Sequence, residues 1–288
     1  MITGKTKLLG VIGYPVEHSL SPVMHNAAIA FLGVDYIYLP LPVSPADLPT
    51  VLAGLYAIGF LGFNVTIPHK QAIIPLLAEV SPVAQAVGAV NTVYRTPNGW
   101  AGMNTDIQGF LAPLLKLERD WGQTTAVILG IGGASRAVVA GCAQLGIRQI
   151  CVVGRARYKL AAFQQSWLHS SISVNLSTHT LEELPHLLCQ AQLLVNATPV
   201  GMYPKVDETP VTAAEMAHLP EGAIVYDLIY TPNPTLFLQI AAECGAYAID
   251  GLEMLVQQGA AALEIWLQQP VPADVMRQSL RHYLGLTP

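Results

Sequence analysis

Short apolar runs alternate with helical patterns along most of the chain. An apolar run over residues 7–12 ends at a Gly-Tyr-Pro turn, and a helical pattern over 23–32 follows it. From Asp106 onward the alternation becomes regular, with an apolar run over 125–129, a Gly-rich turn and an Ala- and Val-rich helix over 135–145. Strands that alternate with helices in this way are typical of a parallel sheet covered on both faces. The pattern therefore predicts an α/β fold.

The same pattern predicts further elements on both sides of Asp106, most of them bounded by Gly or Pro. In the first part we predict strands over 36–40 and 62–67, a helix over 48–55, and a hairpin that joins 87–94 to 99–103. In the second part we predict strands over 149–153, 191–196 and 223–228, and helices over 251–269 and 273–284.

Composition excludes several classes of protein. The chain has 288 residues, of which 52% are hydrophobic and 11% are charged, whereas about 25% charged residues is usual. Intrinsic disorder is excluded, because it needs few apolar residues and many charges. The formal net charge of −5 gives no support for nucleic-acid binding. Arg136 interrupts the longest apolar stretch, so we predict no membrane span of about 18 residues.

Length and cysteine usage complete this outline. A chain of 288 residues predicts about two domains. The cysteines are scattered, with no C-x-x-C and no histidine at metal-ligand spacing. We therefore expect buried, reduced cysteines in a cytosolic protein, and no metal site.

A Gly-rich turn follows the apolar run over 125–129 and opens the helix after it. Gly130, Gly132, Gly133 and Ala134 provide a backbone that can approach a pyrophosphate at a helix N-terminus. Ser135 occupies the position of the third glycine in the dinucleotide-binding fingerprint, so a simple strand–helix turn remains an alternative.

Basic residues follow the next predicted strand. An NAD site usually has an acidic residue there for the ribose 2′-hydroxyl, but this chain has Arg155, Arg157 and Lys159. Cations at that point favour the 2′-phosphate of NADP, since arginine binds phosphate in a bidentate manner. A solvated helix start is the alternative.

Polar residues mark two places in the first part. Asn64 and Thr66 share one face of the strand over 62–67, close to the solitary Lys70. Ser19 and Ser21 lie at a helix start, where hydroxyls and the helix dipole can hold a carboxylate. Taken alone, Lys70 is better explained as a surface lysine and Ser21 as an N-cap, although a cap and an anion site are compatible.

Taken in order, the motifs resemble those of the shikimate dehydrogenase family over nearly the whole chain. They are Ser-Leu-Ser-Pro (19–22), Asn-Val-Thr-Ile-Pro-His-Lys (64–70), Gly-Ala-Val-Asn-Thr (88–92), Asn-Thr-Asp (104–106), Gly-x-Gly-Gly-Ala (130–134), Asn-Ala-Thr-Pro-Val-Gly-Met (196–202), Asp-Leu-Ile-Tyr-x-Pro (227–232) and Asp-Gly-Leu-Glu-Met-Leu-Val-Gln-Gln (250–258).

The resemblance implies reversible, NADPH-dependent reduction of 3-dehydroshikimate to shikimate in aromatic amino-acid biosynthesis. Lys70 and Asp106 match the family's catalytic pair. Reduction of a ketone builds negative charge on its oxygen, so a positioned proton donor such as a lysine ammonium is needed. The residues that match substrate-binding positions are Ser19, Ser21, Asn64, Thr66, Asn91, Tyr230 and Gln258.

The resemblance also implies the cofactor site and the organisation of the chain. The cofactor NADP(H) would contact Gly130, Gly132, Gly133, Ala134, Arg155, Arg157, Lys159, Thr198, Leu228 and Gly251. The family's second-strand signature is Asn-Arg-Thr, and here Gly154 and Ala156 replace its Asn and Thr, so Arg157 is a candidate to compensate. A substrate domain over 1–106 and 251–288 and a Rossmann-like, doubly wound cofactor domain over 107–250 are expected, with mostly parallel sheets.

For partners we expect a small-molecule substrate, no nucleic acid and no membrane, in a cytoplasmic enzyme whose assembly as a homodimer is left open. Two other functions are kept as alternatives. One is an NAD-dependent quinate/shikimate dehydrogenase, against which the basic strand end argues. The other is a non-catalytic sensor on the same fold, which would have no need of Lys70 as a proton donor.

Overall fold

The computed structural model describes residues 2–286, and the chain divides into two compact units. The first unit comprises Met1–Gly109 and Leu255–Pro288, and the second comprises Phe110–Met254. Each unit is built on its own sheet and has its own core.

The sheet of the first unit is mixed. Within residues 2–286 its strand order is β2-β1-β3-β5-β6-β4. Pairing is parallel between β1 and β2, β1 and β3, and β4 and β6, and antiparallel between β3 and β5 and in the hairpin β5–β6. The strands are β1 (Lys7–Gly13), β2 (Tyr36–Pro42), β3 (Gly62–Val65), β4 (Glu79–Val80), β5 (Thr92–Thr96) and β6 (Gly99–Met103).

The helices of the first part of the chain connect these strands. They are α1 (Ser21–Leu32), α2 (Leu48–Ala57), α3 (His69–Ala72), α4 (Pro82–Val87) and α5 (Asp106–Leu114), with a 3-10 turn at Ile74–Leu76. The last two helices of the chain are α11 (Leu252–Leu267) and α12 (Ala273–Tyr283). The core of this unit includes Phe60, Phe63 and Trp100, together with Leu48 and Leu52 of α2.

The sheet of the second unit is parallel throughout the described residues, in the order β12-β11-β10-β7-β8-β9. Its strands are β7 (Thr125–Leu129), β8 (Gln149–Gly154), β9 (Leu176–Thr180), β10 (Leu193–Asn196), β11 (Ile224–Asp227) and β12 (Tyr247–Ile249). The order runs outward in both directions from β7 and β10, which is the doubly wound dinucleotide-binding arrangement. Ligands of such folds bind beyond the carboxyl ends of the strands at this switch point.

Helices of the second unit pack on this sheet. They are α6 (Gly133–Gln144), α7 (Arg157–Leu168), α8 (Leu184–Leu188), α9 (Ala213–Met216) and α10 (Leu236–Glu243), with 3-10 turns at Trp121–Gln123 and Leu181–Glu183. The core includes Val127, Val153, Leu194 and Val225 from four neighbouring strands, and Phe237 from α10.

The predicted α/β class with mostly parallel sheets and a Rossmann-like second part is confirmed, and the differences are local. Residues 87–91 do not continue a strand: Ser81 accepts a hydrogen bond from the Ala84 amide and caps α4, which ends at Val87 and is followed by the C-cap Gly88 with φ +68°. β3 ends at Val65, two residues before the predicted end. The polar edge strand β9 was not predicted, because Leu-Ser-Thr-His-Thr lacks apolar alternation.

Two smaller expectations are also wrong. Ser21 is the first residue of α1, and its side chain does not cap the helix; instead its amide donates to Ser19 Oγ at 3.3 Å. Cys189 and Cys244 are exposed, whereas Cys142 and Cys151 are buried as expected. No helix in residues 2–286 is long and apolar enough to cross a membrane.

Candidate active site

A largely buried ion pair joins two residues that lie far apart in the sequence of the first unit. Lys70 Nζ lies 2.6 Å from Asp106 Oδ2, and the two side chains are only 15% and 6% exposed. Lys70 sits on the short helix α3 and its carbonyl accepts a hydrogen bond from the Val90 amide, whereas Asp106 begins α5. The fold therefore places an ammonium group beside a carboxylate that can fix its orientation.

His69 contributes to the placement of Lys70. Its side chain is fully buried, and its Nε2 lies 2.7 Å from the carbonyl oxygen of Val43. This bond ties α3 to the segment after β2. His69 thus has a structural role beside the ion pair.

Asn91 is the centre of the hydrogen-bond network around this pair. Its Nδ2 lies 2.8 Å from Asp106 Oδ1, 2.9 Å from Thr105 Oγ1 and 3.3 Å from Gln258 Oε1. Its Oδ1 accepts a hydrogen bond from the Thr105 amide at 2.7 Å. Because Asn91, Thr105 and Gln258 are all buried, these hydrogen bonds hold the three side chains in fixed positions.

Asn64 joins the same network from the neighbouring strand. Its Nδ2 donates to the carbonyl of Asn91 at 3.1 Å, and its Oδ1 accepts from the hydroxyl of Tyr38 at 2.7 Å. The antiparallel register pairs Asn64 with Thr92, which brings the two asparagines together. Tyr38 also stacks on His25 with ring centroids 4.1 Å apart. Burial lowers the pKa of His25 to about 3, so this histidine is neutral.

The remaining predicted substrate residues lie outside this network. Ser19 and Ser21 share the hydrogen bond at the start of α1, with Ser21 buried and Ser19 half-buried. Thr66 lies one residue past the end of β3, and its amide donates to the Ile12 carbonyl at 2.9 Å. Tyr230 is half-buried on the segment after β11 and belongs to the second unit.

Sequence reasoning missed Tyr38 and Thr105, which support the two asparagines. Thr105 had a visible signal, because it is the middle residue of the Asn-Thr-Asp motif that carries Asp106. Tyr38 had none, because its place in an apolar strand predicts only a core residue.

The Gly-rich turn of the second unit has the backbone expected of a phosphate-binding loop. Gly130 has φ +110°, and a Cβ there would lie 3.0 Å from the carbonyl oxygen of Ala197. Gly132 is exposed with open space where a side chain would be. No side chain in the described part of the chain caps α6, and the buried Ser135 Oγ has no hydrogen-bond partner there. A dinucleotide pyrophosphate fits these free donors.

The basic cluster lies at the carboxyl end of the neighbouring strand. Arg155 directly follows β8, and Arg157 and Lys159 are in the first turn of α7. All three side chains are exposed. The pKa of Glu182 is lowered, first by the hydroxyl of Thr180 and also by the charge of Arg157, so Arg157 already faces one acidic group.

The predicted nicotinamide residues lie just beyond the carboxyl ends of β10, β11 and β12. The amide and hydroxyl of Thr198 both donate to Asn196 Oδ1, at 3.0 and 2.7 Å. Gly251 packs so closely on Leu228 that a Cβ would collide with the Leu228 carbonyl. The structure therefore brings Leu228 and Gly251 together, at the strand ends where this fold binds its ligand.

The doubly wound sheet, its Gly-rich turn and the buried lysine–aspartate pair together define a nucleotide-dependent oxidoreductase. Two family descriptions match the chain: a shikimate dehydrogenase substrate binding domain over residues 11–93, and a shikimate 5′-dehydrogenase C-terminal domain over residues 251–281. The NADP+ shikimate dehydrogenase of Trichormus variabilis is 66% identical over 99% of this chain and 100% of its own. The chain belongs to the shikimate dehydrogenase family.

Solved structures of the family agree over nearly the whole chain. A shikimate dehydrogenase crystallised with NADP+ is 37% identical with a TM-score of 0.88, covering 99% of this chain and 98% of its own. The Thermus thermophilus enzyme, crystallised with NADP(H) and shikimate, is 34% identical with a TM-score of 0.83, covering 96% of this chain and 99% of its own.

Proposed function

We propose that this protein is an NADP-dependent shikimate dehydrogenase that reversibly reduces 3-dehydroshikimate to shikimate. The observation that carries the proposal is the buried Lys70–Asp106 pair, 2.6 Å apart within a network of amide and hydroxyl side chains. A relative that is 66% identical is an NADP+ shikimate dehydrogenase, which supports the same substrate and cofactor here.

Lys70 is the proton donor in the direction of reduction. Bound NADPH supplies the hydride. The ammonium of Lys70 donates a proton to the ketone oxygen as negative charge builds there, and in the reverse direction the neutral amine of Lys70 accepts the proton of the alcohol. Asp106 accepts a hydrogen bond from Lys70 and holds the ammonium in place, and its second oxygen is fixed by Asn91.

The first unit supplies most of the groups that recognise the substrate. We assign the substrate carboxylate to Ser19 and Ser21, which lie together at the start of α1. Neutral amides and hydroxyls suit the ring hydroxyls, because they can both donate and accept hydrogen bonds. The residues assigned to the ring are Asn64, Thr66, Asn91, Gln258 and Tyr230.

The second unit holds the cofactor. The Gly130–Ala134 turn binds the pyrophosphate, supported by the open α6 N-terminus and the orphaned Ser135 hydroxyl. Arg155, Arg157 and Lys159 hold the 2′-phosphate, and Thr198, Leu228 and Gly251 line the nicotinamide. We accordingly assign 1–106 with 251–288 as the substrate domain and 107–250 as the cofactor domain. A cytoplasmic location fits a biosynthetic reaction that consumes NADPH, and a homodimer stays a prediction.

Steady-state turnover tests the proposal. Addition of 3-dehydroshikimate to enzyme and NADPH is expected to bleach the NADPH absorbance, and shikimate with NADP+ is expected to restore it. When the same assay is applied to Lys70→Ala, Lys116→Ala serves as the matched lysine control, because Lys116 is exposed and pairs with Glu253. No absorbance change at high enzyme concentration would refute the proposal.

The second candidate function is NAD-dependent oxidation of quinate. It is favoured by one observation, the replacement of the family's Asn and Thr at the carboxyl end of β8 by Gly154 and Ala156, which removes two side-chain donors from the 2′-phosphate site. Comparison of shikimate and quinate with each cofactor separates the two functions. We expect shikimate with NADP+ to have the highest kcat/KM, and quinate with NAD+ as the best pair would replace the first proposal.

A further inference from the structure

A second buried aspartate lies in the cofactor unit, where the proposed mechanism does not use it. Asp227 is the last residue of β11 and its side chain is fully buried. Its Oδ1 accepts hydrogen bonds from Asn196 Nδ2 at 3.0 Å and from the Ile229 amide at 3.1 Å. Its Oδ2 accepts from the Thr235 hydroxyl at 2.7 Å. Burying a carboxylate is costly, so its retention here calls for a role.

The partners of Asp227 lie on segments that leave the sheet at its carboxyl edge. Asn196 ends β10, and its Oδ1 accepts both hydrogen bonds from Thr198. The Ile229 amide belongs to the segment just after β11 that carries Leu228. Thr235 is the N-cap of α10, where its hydroxyl accepts from the Leu238 amide. One carboxylate therefore joins three segments.

These segments carry the residues assigned to the nicotinamide. Thr198 is reached from Asp227 through Asn196, and Leu228 adjoins Asp227 in the chain. The Gly251 amide donates to the Ile229 carbonyl at 3.1 Å, so it is held against the same segment. The two segments are also linked through the backbone, where the Leu228 amide donates to the Asn196 carbonyl at 3.1 Å, so the Asp227–Asn196 bond reinforces this connection through side chains.

The electrostatic surroundings agree with a positioning role. In the described part of the chain, the groups that donate to Asp227 are neutral, and the nearby charged group Asp250 repels it. Burial, with a smaller contribution from Asp250, raises the pKa of Asp227 to about 6, although its hydrogen bonds oppose the rise. The neighbouring Tyr226 is also affected, since burial raises its pKa.

Resting on the function proposed above, we propose that Asp227 is a positioning residue for the nicotinamide end of the cofactor. It holds the Thr198 segment and the Leu228 segment in the arrangement that binds the ring, without itself touching substrate or cofactor. Loss of Asp227 then weakens binding of the whole cofactor, whereas binding of the adenosine half, which relies on the β7–α6 turn and the basic cluster, is preserved.

The test compares two ligands by isothermal titration calorimetry of the full chain. NADPH contains the nicotinamide, and 2′-phospho-ADP-ribose lacks it. For Asp227→Ala we expect the Kd of NADPH to rise about tenfold, which corresponds to about 1.4 kcal/mol, with the Kd of 2′-phospho-ADP-ribose unchanged. Asp227→Asn conserves volume and keeps an oxygen for Asn196 and the Ile229 amide, so a rise of about threefold is expected.

Controls separate positioning from general destabilisation. Thr235→Ser keeps the hydroxyl that donates to Asp227 and is expected to bind NADPH normally. Thr235→Val removes this hydroxyl and is expected to raise the Kd of NADPH by about as much as Asp227→Asn does. Thr124→Val alters an equally buried threonine before β7, and it is expected to lower the melting temperature without altering either Kd. Asp227→Asn keeps the test available if Asp227→Ala does not fold.

Two results would overturn the inference: equal loss of affinity for both ligands in the Asp227 variants, or unchanged affinity for NADPH. Because the readout is binding, its failure is distinguishable from that of the proposed function. A wild-type enzyme that binds NADPH tightly but does not turn over 3-dehydroshikimate would refute the function alone.

Discussion

Each unit buries one aspartate within a network of polar side chains, but the groups that donate hydrogen bonds to that aspartate differ in charge between the two units. Asp106 in the first unit accepts a hydrogen bond from the ammonium of Lys70 and another from Asn91. Asp227 in the second unit accepts from an amide side chain, a backbone amide and a hydroxyl, none of which carries a charge.

The difference teaches what each carboxylate can do. A buried ion pair supplies a proton-bearing group whose position is fixed, which is what ketone reduction needs. A carboxylate surrounded by neutral donors has no proton to offer at neutral pH and instead ties several segments together. Both aspartates are buried, but within residues 2–286 only Asp106 has a cationic partner. That cation makes its site suitable for proton transfer, whereas Asp227 has a structural role.

Of the predicted changes, removal of the Lys70 ammonium is expected to have the largest effect. Lys70→Ala leaves Asp106 buried without its charged partner and removes the proton donor. We expect kcat to fall by about a thousandfold, because general acid catalysis contributes about 10² to 10⁴. The KM of shikimate is expected to change little. Lys116→Ala is the control, and a Lys70→Ala variant with near-normal kcat would contradict the role of Lys70.

Neutralising the carboxylate has the next largest effect. Asp106→Asn keeps the shape of the side chain but loses the charge that holds Lys70. We expect kcat to fall by about a hundredfold, with the melting temperature nearly unchanged. Steady-state kinetics at saturating NADPH measures the change. Equal kinetics of Asp106→Asn and wild type would show that the charge pair is unnecessary.

The uncompensated charge of Asp227 should be visible in the pH dependence of stability. Its pKa is about 6 in the folded chain against an ordinary value of 3.8, so its stabilising contribution is present below about pH 4 and is lost as the pH rises to about 6. The loss is on the order of 2–3 kcal/mol. Urea unfolding of wild type and Asp227→Asn at several pH values measures this loss as the difference between their free energies of unfolding.

The measured quantity is the difference in unfolding free energy between wild type and Asp227→Asn, because His25 changes the stability of each protein with pH in the direction opposite to Asp227. The pKa of His25 is lowered to about 3, so the folded chain loses stability as the pH falls from about 6.5 towards 3. Both proteins contain His25, and its contribution cancels. A stability difference that does not vary between pH 4 and 6 would contradict the account of Asp227.

The smallest expected effect concerns a neutral hydrogen bond of the first unit. Tyr38→Phe removes the hydroxyl that donates to Asn64 Oδ1 but keeps the ring stacked on His25. We expect a few-fold rise in the KM of shikimate and about 1 kcal/mol less stability. Tyr36→Phe on the same strand, which alters a bond only to the exposed Lys7, is the control. Identical KM values for both variants would show that the Tyr38 hydroxyl does not support Asn64 in binding the substrate.

The sequence pattern was sufficient for the elements with strong apolar periodicity or clear turn chemistry. The strand β7, the Gly-rich turn and α6 follow directly from an apolar run, glycines and an Ala-rich stretch. The edge strand β9 was not predicted because its polar residues lack the alternation of a half-buried strand, and β12 was not predicted because it is only 3 residues long.

The site was predictable to a different extent. Spacing alone left Lys70 indistinguishable from a surface lysine, and family resemblance was needed to pair it with Asp106. The support by Tyr38 and Thr105 depends on strand register and on the approach of α5, which no local pattern encodes. Asp227 belonged to a recognised motif, but its burial and its neutral partners could be seen only in the fold.

Transfer of isotope from cofactor to product tests the central claim most directly. Wild-type enzyme would be incubated with 3-dehydroshikimate and NADPH deuterated at the hydride position, and the product analysed by mass spectrometry and NMR. We predict shikimate with deuterium on the former ketone carbon, formed much more slowly by Lys70→Ala. Tight binding of NADPH without deuterated shikimate would contradict the claim that the Lys70–Asp106 pair serves this reduction.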